Sequence, residues 1–200
     1  MARKYTLRKR AERQADTRRR IVEAAVDLHG EVGPAATTLS MIAERAGVQR
    51  HTLYAHFPDE RDLLLACSGM TVERDPLPDS APWARIPDRR QRLRRGIAAL
   101  YDWYARNEGL LSCVLRDAEH HALTREITEL RFGPSMSAYL RVLGAGLRPR
   151  QRAMLAVALS FHTWRTLARE ARLPPTDAAV VMADVIDSAR PVDARKSRRE

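Results

Sequence analysis

The chain has only two cysteines among its 200 residues, Cys67 and Cys113. Two thiols cannot build a disulfide framework or a four-cysteine zinc site. There is no run of 18 apolar residues, so no transmembrane helix is expected. The basic N-terminus is not followed by an apolar stretch, so it does not read as a secretory signal. No phosphate-binding loop, nucleophile elbow or zincin helix occurs either. These absences predict a soluble protein of a reducing compartment that is not an enzyme and uses no cofactor. Only three of the 35 cations are lysine. The arginine richness resembles GC-rich bacterial coding and says nothing about mechanism.

What is present is a packable chain, 44 % apolar and 30 % charged, with a net charge of +10. A basic balance of this size suits a polyanionic partner. The charge is uneven. Residues 1–20 hold nine cations against two anions, net +7, whereas residues 21–70 hold three cations against seven anions, net −4.

Residues 1–15 show no hydrophobic period and are expected to form a flexible basic arm. From Asp16 the apolar residues Ile21, Ala25, Leu28 and Val32 repeat on one helical face, and Gly33-Pro34 stops the pattern. A short helix over 39–46 follows, with Thr37 or Thr38 as N-cap and Gly47 as its left-handed end. A third runs over 49–57 and is halted by Pro58, which closes a segment 16–58. A fourth opens at Asp59-Glu60-Arg61-Asp62 and links onward over 59–73. Four prolines in 74–88 mark a loop and a boundary. The remaining segment, 89–189, reads as a helix ended by Gly109, a short apolar helix over 110–115, a helix over 123–143 broken or kinked at Gly133-Pro134, a long helix over 149–171 that is apolar nearly all round, and a last helix over 176–189. The tail 190–200 is charged and expected to fray. No segment reads as a strand, so the fold class is all-α, with about nine helices.

Two short helices joined at Ala46-Gly47-Val48 have the layout of a helix-turn-helix, in which the first helix braces the second for the major groove. An ordinary helical hairpin has the same layout. The residues go further. Thr38, Ile42-Ala43, Ala46-Gly47-Val48, Thr52-Leu53-Tyr54, His56-Phe57-Pro58 and Leu63-Leu64 closely resemble the signature of the tetracycline-repressor (TetR/AcrR) family of bacterial regulators, over residues 17–66. The resemblance implies an N-terminal three-helix DNA-binding domain and a C-terminal helical domain for ligand binding and dimerisation. It implies that Thr38, Thr52, Tyr54 and His56 hydrogen-bond phosphates, which sets register. Gln49, Arg50 and His51 would face base edges, Arg50 as a bidentate partner of guanine. Val48, Leu53 and Phe57 read as the small core, and Tyr54 has a core reading as well. Two positions depart from the family: His51 stands where a small residue is frequent, and Glu60 where a phosphate-binding lysine is. Arg61 is the available replacement, about 100° further round the helix. The arginine-rich arm could enter the adjacent minor groove, or be a solvated polycationic tail.

In the second half, Trp83, Tyr101, Trp103, Tyr104, Tyr139, Phe161 and Trp164 form an aromatic set with polar residues among them. Trp103, Tyr104, Phe161 and Trp164, with Cys113, Asp117 and His121, are the candidate ligand-binding residues. Each also reads as plain core, and Cys113 as a small buried hydrophobe. Asp117, Glu119, His120 and His121 do not share a helix face, so no metal site is expected. Helices 149–171 and 176–189 are the expected homodimer interface. The reading is a dimeric, sequence-specific transcriptional regulator, a repressor released from a near-palindromic operator in double-stranded DNA by a small-molecule inducer whose identity stays open. It would act in the bacterial cytoplasm, on the nucleoid, with no membrane partner. The alternative is an architectural or ligand-independent DNA binder, and a further rival is a membrane-surface protein using the basic arm.

Overall fold

The computed structural model describes residues 2–189, with side chains from residue 8 onward. The expected frayed tail, 190–200, lies outside the described residues. Among these residues are ten α-helices and no strand: α1 (Ala2–Glu31), α2 (Leu39–Ala46), α3 (Arg50–His56), α4 (Glu60–Arg74), α5 (Ala81–Ala84), α6 (Arg89–Ala118), α7 (Ala122–Leu143), α8 (Pro149–Ala158), α9 (Phe161–Arg165) and α10 (Pro175–Ser188). They form two compact units. The first combines residues up to Pro76 with Glu108–Phe132; the second combines Leu77–Asn107 with the residues from Gly133 on.

This division differs from a single domain over 89–189, and helix length is the reason. α6 has 30 residues, about 45 Å at the usual rise, so it is shared between the units. Gly109 does not end it, and 110–115 is not a separate helix. Gly109 does not take the left-handed conformation that would stop a helix. α7 likewise passes through Gly133-Pro134 without a break, with the exposed Pro134 inside it. At the other end of the chain, α1 is helical from Ala2, so the segment read as a flexible arm continues the first helix. Arg8 pairs with Glu12 (2.9 Å) and Arg19 with Asp16 (2.6 Å) along it, spacings that support an exposed helix.

In the first unit, Ile21, Ala25 and Leu28 of α1 bury against Ile42, Ala43 and Ala46 of α2, Leu53 of α3, Phe57, and Leu63 and Cys67 of α4. Val32, beyond the end of α1, is exposed. Burial pushes the Cys67 thiol up to about 12, so it packs as a small hydrophobe. The turn after α1 is gripped by the end of α6. Arg116 donates to the Val32 carbonyl (2.9 Å), and the Ala35 N–H donates to Asp117 Oδ2 (2.9 Å). Gly33 has φ +97°, and a Cβ there would sit 2.3 Å from Arg116 Nη2 and from Asp117 Oδ2, so only glycine fits. Burial raises the pKa of Asp117, but the bonds from Arg116 and Ala35 outweigh it and hold the carboxyl below its ordinary value.

The proline-rich segment 74–88, which enters the second unit at Leu77, is not all loop. It contains α5, whose buried Trp83 packs on the Tyr139 ring with centroids 5.0 Å apart. The expected helix over 149–171 is broken at Leu159-Ser160 and ends in a π-turn at Thr166–Glu170. The break is chemically satisfied. The Tyr101 hydroxyl donates to the Ala158 carbonyl (2.8 Å), the Tyr104 hydroxyl donates to the Leu159 carbonyl (2.7 Å), and Ser160 Oγ accepts from the His162 N–H (3.2 Å). Arg90 and Arg94 on Asp184, and Arg89 on Asp187, tie α10 to α6.

His29, buried near Asp117, gives a testable consequence. Burial pushes its pKa from 6.5 down to about 4, against the pull of the Asp117 charge. Between those values the unfolded chain binds a proton that the folded imidazole refuses. Stability is therefore full above pH 6.5 and declines as pH falls toward 4, by roughly 3 kcal/mol. The melting temperature should fall on acidification from pH 7 to 4.5, and His29→Leu should flatten the upper part of that decline. An equally steep decline in the variant assigns the effect to other groups.

Candidate nucleic-acid interface

Local chemistry closes both ends of α2. Thr38 is extended (φ −97°, ψ 152°), and its hydroxyl accepts from the Met41 N–H at 3.2 Å, the N-cap geometry. At the other end Gly47 is left-handed (φ 64°, ψ 40°). The Gly47 N–H bonds to the Glu44 carbonyl (3.0 Å) and the Val48 N–H to the Ala43 carbonyl (2.9 Å), the paired bonds of a Schellman ending. α3 begins two residues later. Its inner side is fixed by Leu53, which is fully buried, and by Phe57 just beyond its end.

The rest of α3 faces outward. Gln49, Arg50, His51 and Tyr54 are exposed, and Thr52 and His56 are half-buried. Tyr54 is 42 % exposed, which excludes its core reading. Arg50 donates to the Tyr54 hydroxyl at 3.4 Å, one turn along the same face. Gln49 occupies the N-cap position without using its side chain to cap. Thr38 is exposed, and because its hydroxyl only accepts in the cap, its O–H remains a donor. Arg61 is placed differently. It donates twice to Glu126 Oε1, at 3.0 and 2.8 Å, so a phosphate at Arg61 has to displace Glu126. Glu60 and Asp62 make the first turn of α4 acidic.

Two arginines of α1 belong to this site and were not expected. Arg20 Nη1 donates to the Ala46 carbonyl at 3.1 Å, just before the turn, and the Arg18 guanidinium lies 4.5 Å from the centre of the Phe57 ring, just after α3. They hold the two ends of the α3 segment. No sequence signal marks them, because arginines on an exposed helix read as solvated charge.

The candidate ligand-binding residues divide between the units. Trp103, Tyr104, Phe161 and Trp164 are buried together in the second unit, with Trp103–Tyr104, Tyr104–Phe161 and Phe161–Trp164 centroids 5.8, 5.4 and 5.3 Å apart. The Trp164 Nε1–H is buried without a hydrogen-bond partner among the described residues. Cys113, Asp117 and His121 fall in the first unit instead, because the end of α6 belongs there. Cys113 points at the Gly30 carbonyl (3.4 Å), Asp117 holds the α1–α2 turn, and His121 Nδ1 meets the Thr124 hydroxyl at 2.7 Å. They do not join the ring cluster.

Residues 21–67 match the sequence model of the tetR family of bacterial regulatory proteins. That span is the buried part of α1 through to the middle of α4. Over that span the chain carries a domain of the tetR family of bacterial regulatory proteins. The chain is also similar, at 28 % identity over 178 residues, to an uncharacterized HTH-type transcriptional regulator of Mycobacterium bovis, covering 88 % of this chain and 86 % of that one. It is 39 % identical over 56 residues to AcrR of Shigella flexneri, covering 28 % and 26 % of the two chains. A TetR-family regulator from Marinobacter aquaeolei shares its fold at a TM-score of 0.61 and 22 % identity, covering 90 % of this chain and 97 % of that one. So does FadR of Bacillus subtilis, crystallised with stearoyl-CoA, at 0.57 and 20 %, covering 86 % and 98 %. With this domain, and like the HTH-type regulators it resembles over most of its length, the chain is a DNA-binding transcriptional regulator and not an enzyme. Among the described residues no helix is long and apolar enough to cross a membrane.

Arg50→Ala should relax base preference at one position of each half-site by about 1–3 kcal/mol, read from binding to single-base variants of a selected site. A preference profile unchanged at every position removes Arg50 from base reading.

Proposed function

We propose that this regulator is a homodimeric repressor that docks α3 on a near-palindromic operator and leaves it when a small, mostly apolar ligand binds among the rings of the second unit. On this reading residues 16–58 bind DNA, 59–73 link, and 89–189 sense and pair, in the bacterial cytoplasm on the nucleoid. The exposed face of α3, presented by the turn at Gly47, carries the proposal. Gln49, Arg50 and His51 are the base readers, and Thr38, Thr52, Tyr54 and His56 the phosphate contacts.

Dimerisation is supported by an apolar surface on the two helices expected to pair. Val157 of α8 is 46 % exposed, and Val180, Val181 and Val185 of α10 are 37 %, 41 % and 37 % exposed. The opposite side of α10, with Ala179, Met182, Ala183 and Ile186, is buried within the unit. The outer valines are left for a partner. Two α3 helices about 34–36 Å apart need that twofold axis.

Ligand release is supported by Trp164. A buried N–H without a partner costs about 1–3 kcal/mol, and a ligand bringing an acceptor would recover it. The structure of Bacillus subtilis FadR with stearoyl-CoA suggests a long acyl chain as a first probe. A 100-fold loss of DNA affinity needs a coupling of only about 2.7 kcal/mol. A second reading, a ligand-independent architectural DNA binder, is favoured by the ring-on-ring packing of Trp103, Tyr104, Phe161 and Trp164, which resembles a filled core.

Selection from random duplexes separates the two. Half-sites with twofold symmetry are expected; binding indifferent to sequence establishes the architectural reading. For the dimer, Val181→Asp should shift sedimentation toward monomer, and an intact dimer with both this variant and Val185→Asp removes α10 from the interface. All three tryptophans are buried in the second unit, so their fluorescence reports on it. Stearoyl-CoA should change the emission and release DNA, and Trp103→Ala should lose that response while keeping ligand-free DNA binding. Loss of both assigns Trp103 to the core.

A further inference from the structure

Residues 8–16 of α1 form an exposed stretch of helix. Every described side chain from Arg8 to Asp16 is exposed, and the first fully buried residue is Ile21. This stretch carries Arg8, Lys9, Arg10 and Arg13, with Glu12 and Asp16 as its acids. Glu12 is taken by Arg8, and Asp16 by Arg19 and Arg20.

The cations are not evenly spread round the helix. Lys9, Arg13 and Arg20 are spaced i, i+4, i+11, which puts them on one face, and Arg10 borders it three residues before Arg13. Arg20 fixes where that face points, because its guanidinium bonds to the Ala46 carbonyl at the turn that launches α3. The other side of α1 turns toward α4, where Arg18, Arg19 and Val22 line an open groove of about 810 Å³. The cationic stripe therefore starts beside the N-terminal end of α3 and runs outward for about 16 Å from Arg20 to Lys9. That end of α3 carries Gln49, Arg50 and His51.

Resting on the reading that α3 enters a major groove, we propose that the N-terminal part of α1 is a rigid second contact with the same DNA, its stripe of Lys9, Arg10 and Arg13 lying along the phosphates that flank that groove. A helix is about 10–12 Å across and the minor groove about 6 Å wide, so a helical segment cannot thread the minor groove as an extended arm would. The stripe meets the sugar-phosphate backbone instead. An anionic membrane is the poorer fit. Between residues 8 and 16 the apolar residues are only Ala11 and Ala15, too little to insert below headgroups. The contact carries no base information, but the bond from Arg20 to Ala46 keeps it in register with α3.

Three proteins test this on a 30-base-pair duplex without a selected site: the wild type, Arg10→Gln/Arg13→Gln, and Gln14→Pro. The last keeps every charge but interrupts the helix between the stripe and the core. Each neutralised phosphate adds about 0.9 to the salt slope, so the wild type should lose about tenfold more affinity than Arg10→Gln/Arg13→Gln between about 50 and 200 mM salt. Gln14→Pro should show most of the same loss of slope, with the melting transition of the core retained in both variants. Slopes equal to wild type in Arg10→Gln/Arg13→Gln overturn the proposal. A wild-type slope in Gln14→Pro alone overturns the rigid contact in favour of a flexible arm. Phosphatidylserine vesicles retained by the wild type and released by the double variant, with DNA slopes unchanged, overturn it in favour of a membrane. Failure of the wild type to bind duplex DNA at all contradicts the regulator reading itself.

Discussion

Between Ala46 and Val48 the chain turns left-handed, and the two backbone bonds that close this turn set the angle at which α3 leaves α2. A residue with a Cβ at Gly47 would have to hold φ 64°, which costs about 1–2 kcal/mol. The surrounding contacts all serve that angle. Ile42, Ala43 and Ala46 seat α2, Leu53 and Phe57 seat α3, and Arg20 and Arg18 of α1 close on the two ends of the segment. A helix of seven residues is far too short to hold its shape alone. Its outward face is useful for reading DNA only because the turn and the small core hold it still.

The same economy explains the longer elements. α6 and α7 each contribute to both units, so the units are joined by continuous helix as well as by the chain after α4. α6 bears Trp103 and Tyr104 of the ring cluster and, further along, Arg116 and Asp117, which grip the turn between α1 and α2. α4, the link expected from the sequence, lies wholly within the first unit.

Much of this was legible in the sequence where local chemistry decides the outcome. The Thr38 cap, the Gly47 ending, the Asp59 cap and the stop at Gly33-Pro34 all rest on one or two residues with narrow conformational choices, and they stand where the pattern put them. The errors came where tertiary contacts overrule local signals. Gly109 and Pro134 are normally helix breakers, yet both lie inside long helices. The break at Leu159-Ser160 was invisible because its cause is remote: two tyrosine hydroxyls, more than fifty residues earlier, take the carbonyls that the break releases. Asp117 reads in the sequence as a polar residue among aromatics; its bond from the Ala35 N–H, 82 residues away, has no local signal.

The central claim is that α3, held by this turn, reads the major groove. Methylation interference tests it directly, since dimethyl sulfate marks guanine N7 in the major groove and adenine N3 in the minor groove. The account predicts that guanine methylation blocks binding in two clusters about 10–10.5 base pairs apart, or a multiple of that, and that adenine methylation leaves binding intact. Interference confined to adenine N3 would place the contact in the minor groove and contradict the account.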